Sequence, residues 1–289
     1  MIFTDLDGTL LDFQTYDPGP AAEAVTACQR AGVPVIPTTS KTAVEVIRLR
    51  ESMCLSDPFI VENGAVVYFP EHHEAAVIAG EIAAGEGLQV TSQEGLLKIL
   101  FGVERSLLQK KLDEIAGDLG LSIRQISRMT ESEVTSETGL PPASARAVNQ
   151  REYSEPFLVV PEEGVLSEEA RAELVARLDD KAAGIGLNCL LGGRFFHLLG
   201  DHTKATAARF VIRCQGVLDR EPLSMALGDA PNDFDLLSMV DFPVLVRRPD
   251  GSFASGLELP GLVRTGGIGP AGWHEAVMAR LQEIADMAD

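Results

Sequence analysis

Two short apolar segments each run straight into a turn rich in carboxylates, and more than two hundred residues separate them. Ile2-Phe3-Thr4 leads into Asp5-Leu6-Asp7-Gly8-Thr9, and Met225-Ala226-Leu227 leads into Gly228-Asp229-Ala230-Pro231-Asn232-Asp233. Each reads as a buried strand that ends in a loop. In an open α/β sheet, strands ending on the same edge deliver their loops into one crevice. Asp5, Asp7, Asp229 and Asp233 are therefore expected to meet there. Two carboxylates about 4 Å apart repel by roughly 1 to 4 kcal/mol at effective dielectric constants between 80 and 20. A hard divalent cation with oxygen ligands, Mg2+ by preference, turns that repulsion into a site.

The pattern around these segments fits such a sheet. Near the start, strand-like and helical stretches alternate: a helix over 21–31 entered past Pro18 and Pro20 and closed by Gly32, a strand over 33–38, a helix over 43–52 and a strand over 59–61. Glu62-Asn63-Gly64 then reads as a tight turn into a second hairpin strand over 65–68. From about residue 82 the alternation is lost. Stretches around 93–118 and 167–183 have helical spacing, 157–160, 187–191 and 195–199 are strand-like, and 129–142 is polar and unpatterned. At Thr203 the alternation resumes and runs to a last helix after Gly269-Pro270. The expectation is an α/β core of residues 1–81 and 201–289, interrupted by a separate α+β unit over 82–200.

Composition narrows the partners. A formal net charge of −19 over 289 residues disfavours nucleic acid and anionic membrane as partners. It leaves an anionic small molecule open, because screening over about 8 Å makes the local field decisive. The chain has neither a basic leader nor an uncharged apolar stretch near the ~18 residues of a membrane span, so a cytoplasmic protein is expected. Its four cysteines are scattered without metal-ligand spacing and are expected to be small buried hydrophobes.

Residues two apart in an extended segment point the same way, so Asp5 and Asp7 can share one task. One would attack phosphorus and form a phosphoaspartate, while the other protonates the leaving oxygen and later deprotonates water. An Asp-x-Asp-Gly surface turn is the plain alternative. An EF-hand is a third, although Tyr16 falls where that loop requires Glu.

Asp5-Leu6-Asp7-Gly8-Thr9-Leu10-Leu11 resembles the first motif of the haloacid dehalogenase-like phosphatases. Thr39 resembles their second motif, Lys204 the third, and Asp229 with Asp233 the fourth. The resemblance implies a Rossmann-like parallel-sheet core with an inserted cap. It makes Asp5 the nucleophile and Asp7 the acid/base. Thr39, Ser40, Lys204 and Asn232 would contact the phosphate. Mg2+ would be held by Asp5, Asp229 and the Asp7 carbonyl, with Asp233 bound directly or behind them. Taken singly, Thr39 and Ser40 also suit a helix cap, Lys204 a solvated surface, and Asp229 a cap for a helix near Pro231.

A narrower similarity, to mannosyl-3-phosphoglycerate phosphatases, rests on Thr38-Thr39-Ser40-Lys41-Thr42, Glu62-Asn63-Gly64, Arg151-Glu152-Tyr153-Ser154-Glu155-Pro156-Phe157, Arg194-Phe195-Phe196-His197 and Gly269-Pro270-Ala271-Gly272-Trp273. It implies a sugar linked to phosphoglycerate as substrate and mannosylglycerate, a compatible solute, as product. Lys41, Arg151, Arg194 and His197 would answer the substrate's anionic groups. Glu62, Asn63 and Ser154 would meet its hydroxyls. Another sugar phosphate (glucosyl-3-phosphoglycerate or sucrose phosphate), a phosphomutase and a non-catalytic phosphate sensor stand as alternatives.

Overall fold

The computed structural model of the protein describes residues 1–139, 142–161, 164, 166–191, 195–218 and 222–288. In chain order it begins β1 (Ile2–Thr4), α1 (Ala21–Arg30), β2 (Val35–Pro37), α2 (Ala43–Ser52), β3 (Phe59–Val61), β4 (Val66–Pro70) and α3 (Ala76–Gly85). There follow β5 (Gln89–Gln93), β6 (Leu96–Leu100), α4 (Arg105–Leu119), β7 (Ser122–Gln125), α5 (Glu131–Thr138), α6 (Pro142–Asn149), β8 (Ser154–Val160), α7 (Glu168–Ala183), β9 (Leu187–Leu191) and β10 (Phe196–Gly200). The chain closes with α8 (Lys204–Leu218), β11 (Met225–Gly228), α9 (Phe234–Ser238), β12 (Phe242–Arg247), β13 (Val263–Ile268) and α10 (Pro270–Ala288).

Five strands pair in parallel in the order β13-β12-β11-β1-β2. Their side chains alternate between two buried clusters, Ile2, Val35 and Leu227 on one face and Phe3, Ile36 and Ala226 on the other. Burial on both faces explains why these strands read as unbroken apolar runs. Trp273 and Val277 of α10 cover the first face, and Phe210 and Val211 of α8 cover the second. Trp273 is fully buried and donates from Nε1 to Thr4 Oγ1 at 2.9 Å. No helix among the described residues is long and apolar enough to cross a membrane.

The sheet continues past β2. Thr38 bridges Ile60 in parallel, and β3-β4-β6-β5 extends antiparallel from there. Ile99 of β6 is buried in the same cluster as Phe3. The strands β5 and β6 within 89–100 therefore pair into the extension of the core sheet. The stretch 93–100 is a hairpin turn and strand instead of helix, and helix begins only at Arg105. Glu94 (φ 52°) and Gly95 (φ 75°) make the turn, and the apolar run Leu96–Leu100 pairs with β4 and β5.

The second unit is an antiparallel sheet ordered β7-β8-β10-β9. Leu108 and Leu112 of α4 and Leu174 and Leu178 of α7 pack on its Phe157, Phe196 and Leu198. The polar stretch 129–142 contains α5, started by Thr130, whose N–H and hydroxyl both donate to Glu133. Three cysteines are buried as expected. Cys54 instead lies exposed, in a left-handed turn after α2.

Candidate active site

The site forms where β1 and β11 lie side by side, with Thr4 opposite Leu227 and the Asp5 N–H donating to Leu227 O at 2.9 Å. Parallel neighbours end on the same edge, so the two acidic turns emerge together. Gly8 carries the first turn through φ 81°, and a Cβ there would lie 3.0 Å from Asp229 Oδ2. Glycine is needed both for the conformation and for the close approach of the second turn.

Lys204, at the start of α8, is about 1% exposed and reaches into this crevice. Its Nζ lies 2.6 Å from Asp5 Oδ1 and 2.6 Å from Asp233 Oδ1. That removes the solvated-lysine alternative. Asp233 also accepts the N–H groups of Asp229 and Ala230 through Oδ2, both at 3.1 Å. The Asp229 carboxylate caps no helix; it accepts from Thr9 Oγ1 at 3.1 Å, and its carbonyl accepts from Arg248 Nε at 2.9 Å. Thr9 and Arg248 contribute to the site beyond the residues expected from sequence. Thr9 was in plain view inside the first motif, and Arg248 follows a strand whose end borders the site.

Asp5, Asp229 and Asp233 each offer a carboxylate oxygen within 4.8 Å of the others. Burial, reinforced by Asp233 and Asp229 and only partly offset by Lys204, pushes Asp5 up to about 8. Burial and Asp233 push Asp229 up to about 7. The opposite pull holds Lys204 above its ordinary range: burial works against its charge, and the two aspartates outweigh it. One lysine thus leaves negative charge in excess. An all-oxygen donor set with uncompensated charge fits a hard divalent cation such as Mg2+.

Asp7 stands at the mouth. Its Oδ2 is 2.9 Å from Lys41 Nζ, and its Oδ1 is buried without a hydrogen-bond partner. Its carboxylate is absent from the cluster of three, and only its main chain is available for the ligand role foreseen for it. Burial raises its pKa against the pull of Lys41. Lys41 is itself held above its usual range, since Asp7 and Glu45 outweigh the burial that disfavours its charge.

Thr39 is buried, takes a bridge-like hydrogen bond from its N–H to Ile60 O at 3.0 Å, and accepts the Lys41 N–H at Oγ1. It does not cap α2. Thr42 does, with its N–H and hydroxyl both donating to Glu45 Oε2. Ser40 gives its carbonyl to Arg151 Nη1 at 2.6 Å. Asn232 donates to Asn63 Oδ1 at 3.2 Å. Glu62 accepts from Glu152 N, Tyr153 N and Ser154 Oγ. His197 is buried on the face of β10 opposite Phe196 and Leu198; burial, then Arg151, pulls it down to about 3, so it is neutral. Arg194 lies outside the described residues.

The same arrangement has relatives. The model of the haloacid dehalogenase-like hydrolase family matches residues 2–136. A glucosyl-3-phosphoglycerate/mannosyl-3-phosphoglycerate phosphatase of Methanococcoides burtonii is 32% identical over 279 residues, 96% of each chain. Another so named, from Persephonella marina, is 30% identical over 98% of each chain. The fold matches that of a sucrose-phosphatase from Synechocystis with a TM-score of 0.57 at 17% identity, over 96% of this chain and 96% of that one.

Proposed function

The chain belongs to the haloacid dehalogenase-like hydrolases and is a phosphoric monoester hydrolase; from that footing we propose that it hydrolyses mannosyl-3-phosphoglycerate, or its glucosyl counterpart, to the glycosylglycerate and phosphate. The observation that carries the chemistry is the buried bridge of Lys204 to Asp5 and Asp233, with Asp229 facing it and Asp7 at the mouth. The names of the two relatives support the substrate.

Lys204 occupies Asp5 Oδ1, so Oδ2 is the oxygen assigned to attack phosphorus. As the Asp5–phosphorus bond forms, the bond from phosphorus to the glyceryl oxygen breaks, and Asp7 delivers a proton to that oxygen. Asp7, now charged, takes a proton from water, whose oxygen attacks phosphorus and releases Asp5. Lys204 and the hydroxyl of Thr39 hold phosphate oxygens through both steps. Asp5, Asp229 and the Asp7 carbonyl, with Asp233 behind them, would hold Mg2+, which would supply Lewis-acid neutralisation of the phosphate charge. We also propose that the 103–200 unit selects the leaving group, with Arg151, which donates to Ser40 O, at the phosphate-binding loop. Its strand β9 contacts the 231–233 turn.

Phosphate release measured across mannosyl-3-phosphoglycerate, glucosyl-3-phosphoglycerate and sucrose 6-phosphate tests the assignment. The glycosyl-3-phosphoglycerates are expected to lead in kcat/KM by about tenfold or more, the net worth of one ordinary hydrogen bond. Asp5→Asn is expected to cut kcat by about 10⁴-fold or more. Equal kcat/KM across the three esters would remove the substrate claim, and an active Asp5→Asn enzyme would remove the nucleophile.

A further inference from the structure

Glu62, Asn63 and Gly64 all occupy the left-handed region, with φ of 47°, 59° and 98°. For the two residues with side chains this conformation costs of the order of 1–3 kcal/mol each and persists only where the surroundings over-determine it. Here they do. The Glu62 N–H donates to Lys41 O at 3.0 Å and the Asn63 N–H to Thr39 O at 2.9 Å. Asn63 Oδ1 takes the Asn232 amide. Gly64 sits so close to Thr203, the neighbour of Lys204, that a Cβ would fall 2.2 Å from its carbonyl oxygen. One turn thus touches the loops that carry the phosphate-binding threonine, the lysine and the asparagine.

From this turn the buried Glu62 carboxylate crosses into the second unit. Oε1 accepts from Glu152 N at 2.9 Å, and Oε2 accepts from Tyr153 N at 3.1 Å and Ser154 Oγ at 2.6 Å. Both oxygens are engaged by the protein. Just before these residues, Arg151 donates from Nη1 to Ser40 O at 2.6 Å and to Ser154 Oγ at 3.4 Å. Its Nε is buried and without a partner, as is Nδ1 of His197.

We propose that Glu62 is a positioning residue and not a sugar ligand: it clamps residues 152–154 so that Arg151 keeps its unused Nε–H at the seam between the phosphate loop and the second unit, where it sets affinity for the portion of the substrate beyond phosphorus. This rests on the phosphatase reading above. A clamp of this kind acts on KM, because chemistry at Asp5 needs no contact with Glu62.

Two variants test it. Glu62→Gln keeps the shape but turns one acceptor into a donor facing donors. Glu62→Gly deletes the carboxylate while suiting φ 47°, so it removes the clamp without adding backbone strain. In both, KM for mannosyl-3-phosphoglycerate is expected to rise about tenfold with kcat within about threefold. Amide exchange at Glu152 and Tyr153 is expected to speed up at least about tenfold. Adding Ser154→Ala to Glu62→Gln is expected to change KM little further, since both remove one interaction. Unchanged exchange at those amides, additive losses in the double variant, or a fall in kcat at constant KM would each overturn the proposal. The exchange measurement needs no substrate, whereas a wrong substrate shows in the wild-type ester panel; if another ester leads there, the KM comparison is run on it.

Discussion

Lys204 sets the tone at the scale of single residues. It is the sole cation touching Asp5 and Asp233 among the described side chains, and it does so from a fully buried position. Removing one partner of a buried ion pair leaves uncompensated charge, at about 3–5 kcal/mol. Lys204→Met is therefore expected to lower the melting temperature of the metal-free protein by several degrees as well as abolish phosphate release. A variant that melts like the parent would show that the lysine is not the counter-charge described. Asp5 and Asp229 are legible in the sequence because each follows an apolar strand, a local property, whereas Thr39 and Lys204 are legible only through the family resemblance, since taken singly they suit a helix cap and a solvated surface. The pairing of Lys41 with Asp7 is not legible. From sequence Lys41 is a candidate for substrate, and only the folding of the loop before α2 against the β1 turn gives it a protein carboxylate. The same holds for Glu62, whose partners lie about ninety residues away.

Among the elements, α10 is tied to the site by one bond. Trp273 Nε1 donates to Thr4 Oγ1, and that hydroxyl donates in turn to the Asp5 carbonyl at 2.7 Å. Trp273→Phe keeps most of the packing but removes a buried donor, at about 1–3 kcal/mol. The expected result is a melting temperature lower by a few degrees, read by thermal denaturation; an unshifted transition would contradict the anchor. The parallel strands and their helices were legible because burial on both faces writes itself as apolar runs. The β5–β6 hairpin was not, since Leu96, Leu97, Ile99 and Leu100 also fit helical spacing and the deciding signal is the two-residue turn at Glu94-Gly95. The start of α5 had a legible signal, Thr130 followed three residues later by Glu133, inside a stretch whose polarity masked it.

For the whole molecule, the balance of charge in the crevice governs stability. Asp5 at about 8 and Asp229 at about 7 lie above an ordinary carboxylate value of 3.8 in the unfolded chain. Between those values these two groups make the folded state bind more protons than the unfolded one, so their contribution to metal-free stability is fully present below about pH 4 and is lost as pH rises toward 8. Mg2+ binding only the folded state opposes this, by about 2.7 kcal/mol at a hundredfold excess over Kd. The rise in melting temperature on adding Mg2+ is thus expected to be small near pH 5 and to grow through pH 8. A Mg2+ shift independent of pH would mean the ion does not bind these carboxylates. At this scale an insertion between the two halves of the core was legible from the lost alternation. The joining of β5 and β6 to β4 was not, because strand pairing is invisible to periodicity.

Tyr153 belongs by sequence to the inserted unit, yet its ring is buried in the core's own cluster beside Ala65, Val66 and Leu100. An insertion hung on two linkers alone can be exchanged for another by recombination at those two points. Here an exchange would leave an aromatic-sized hollow in the recipient and an orphaned Glu62 carboxylate beneath it. In this lineage, core and cap are therefore expected to diversify together, with changes around residues 62–66 matched by changes around 151–154.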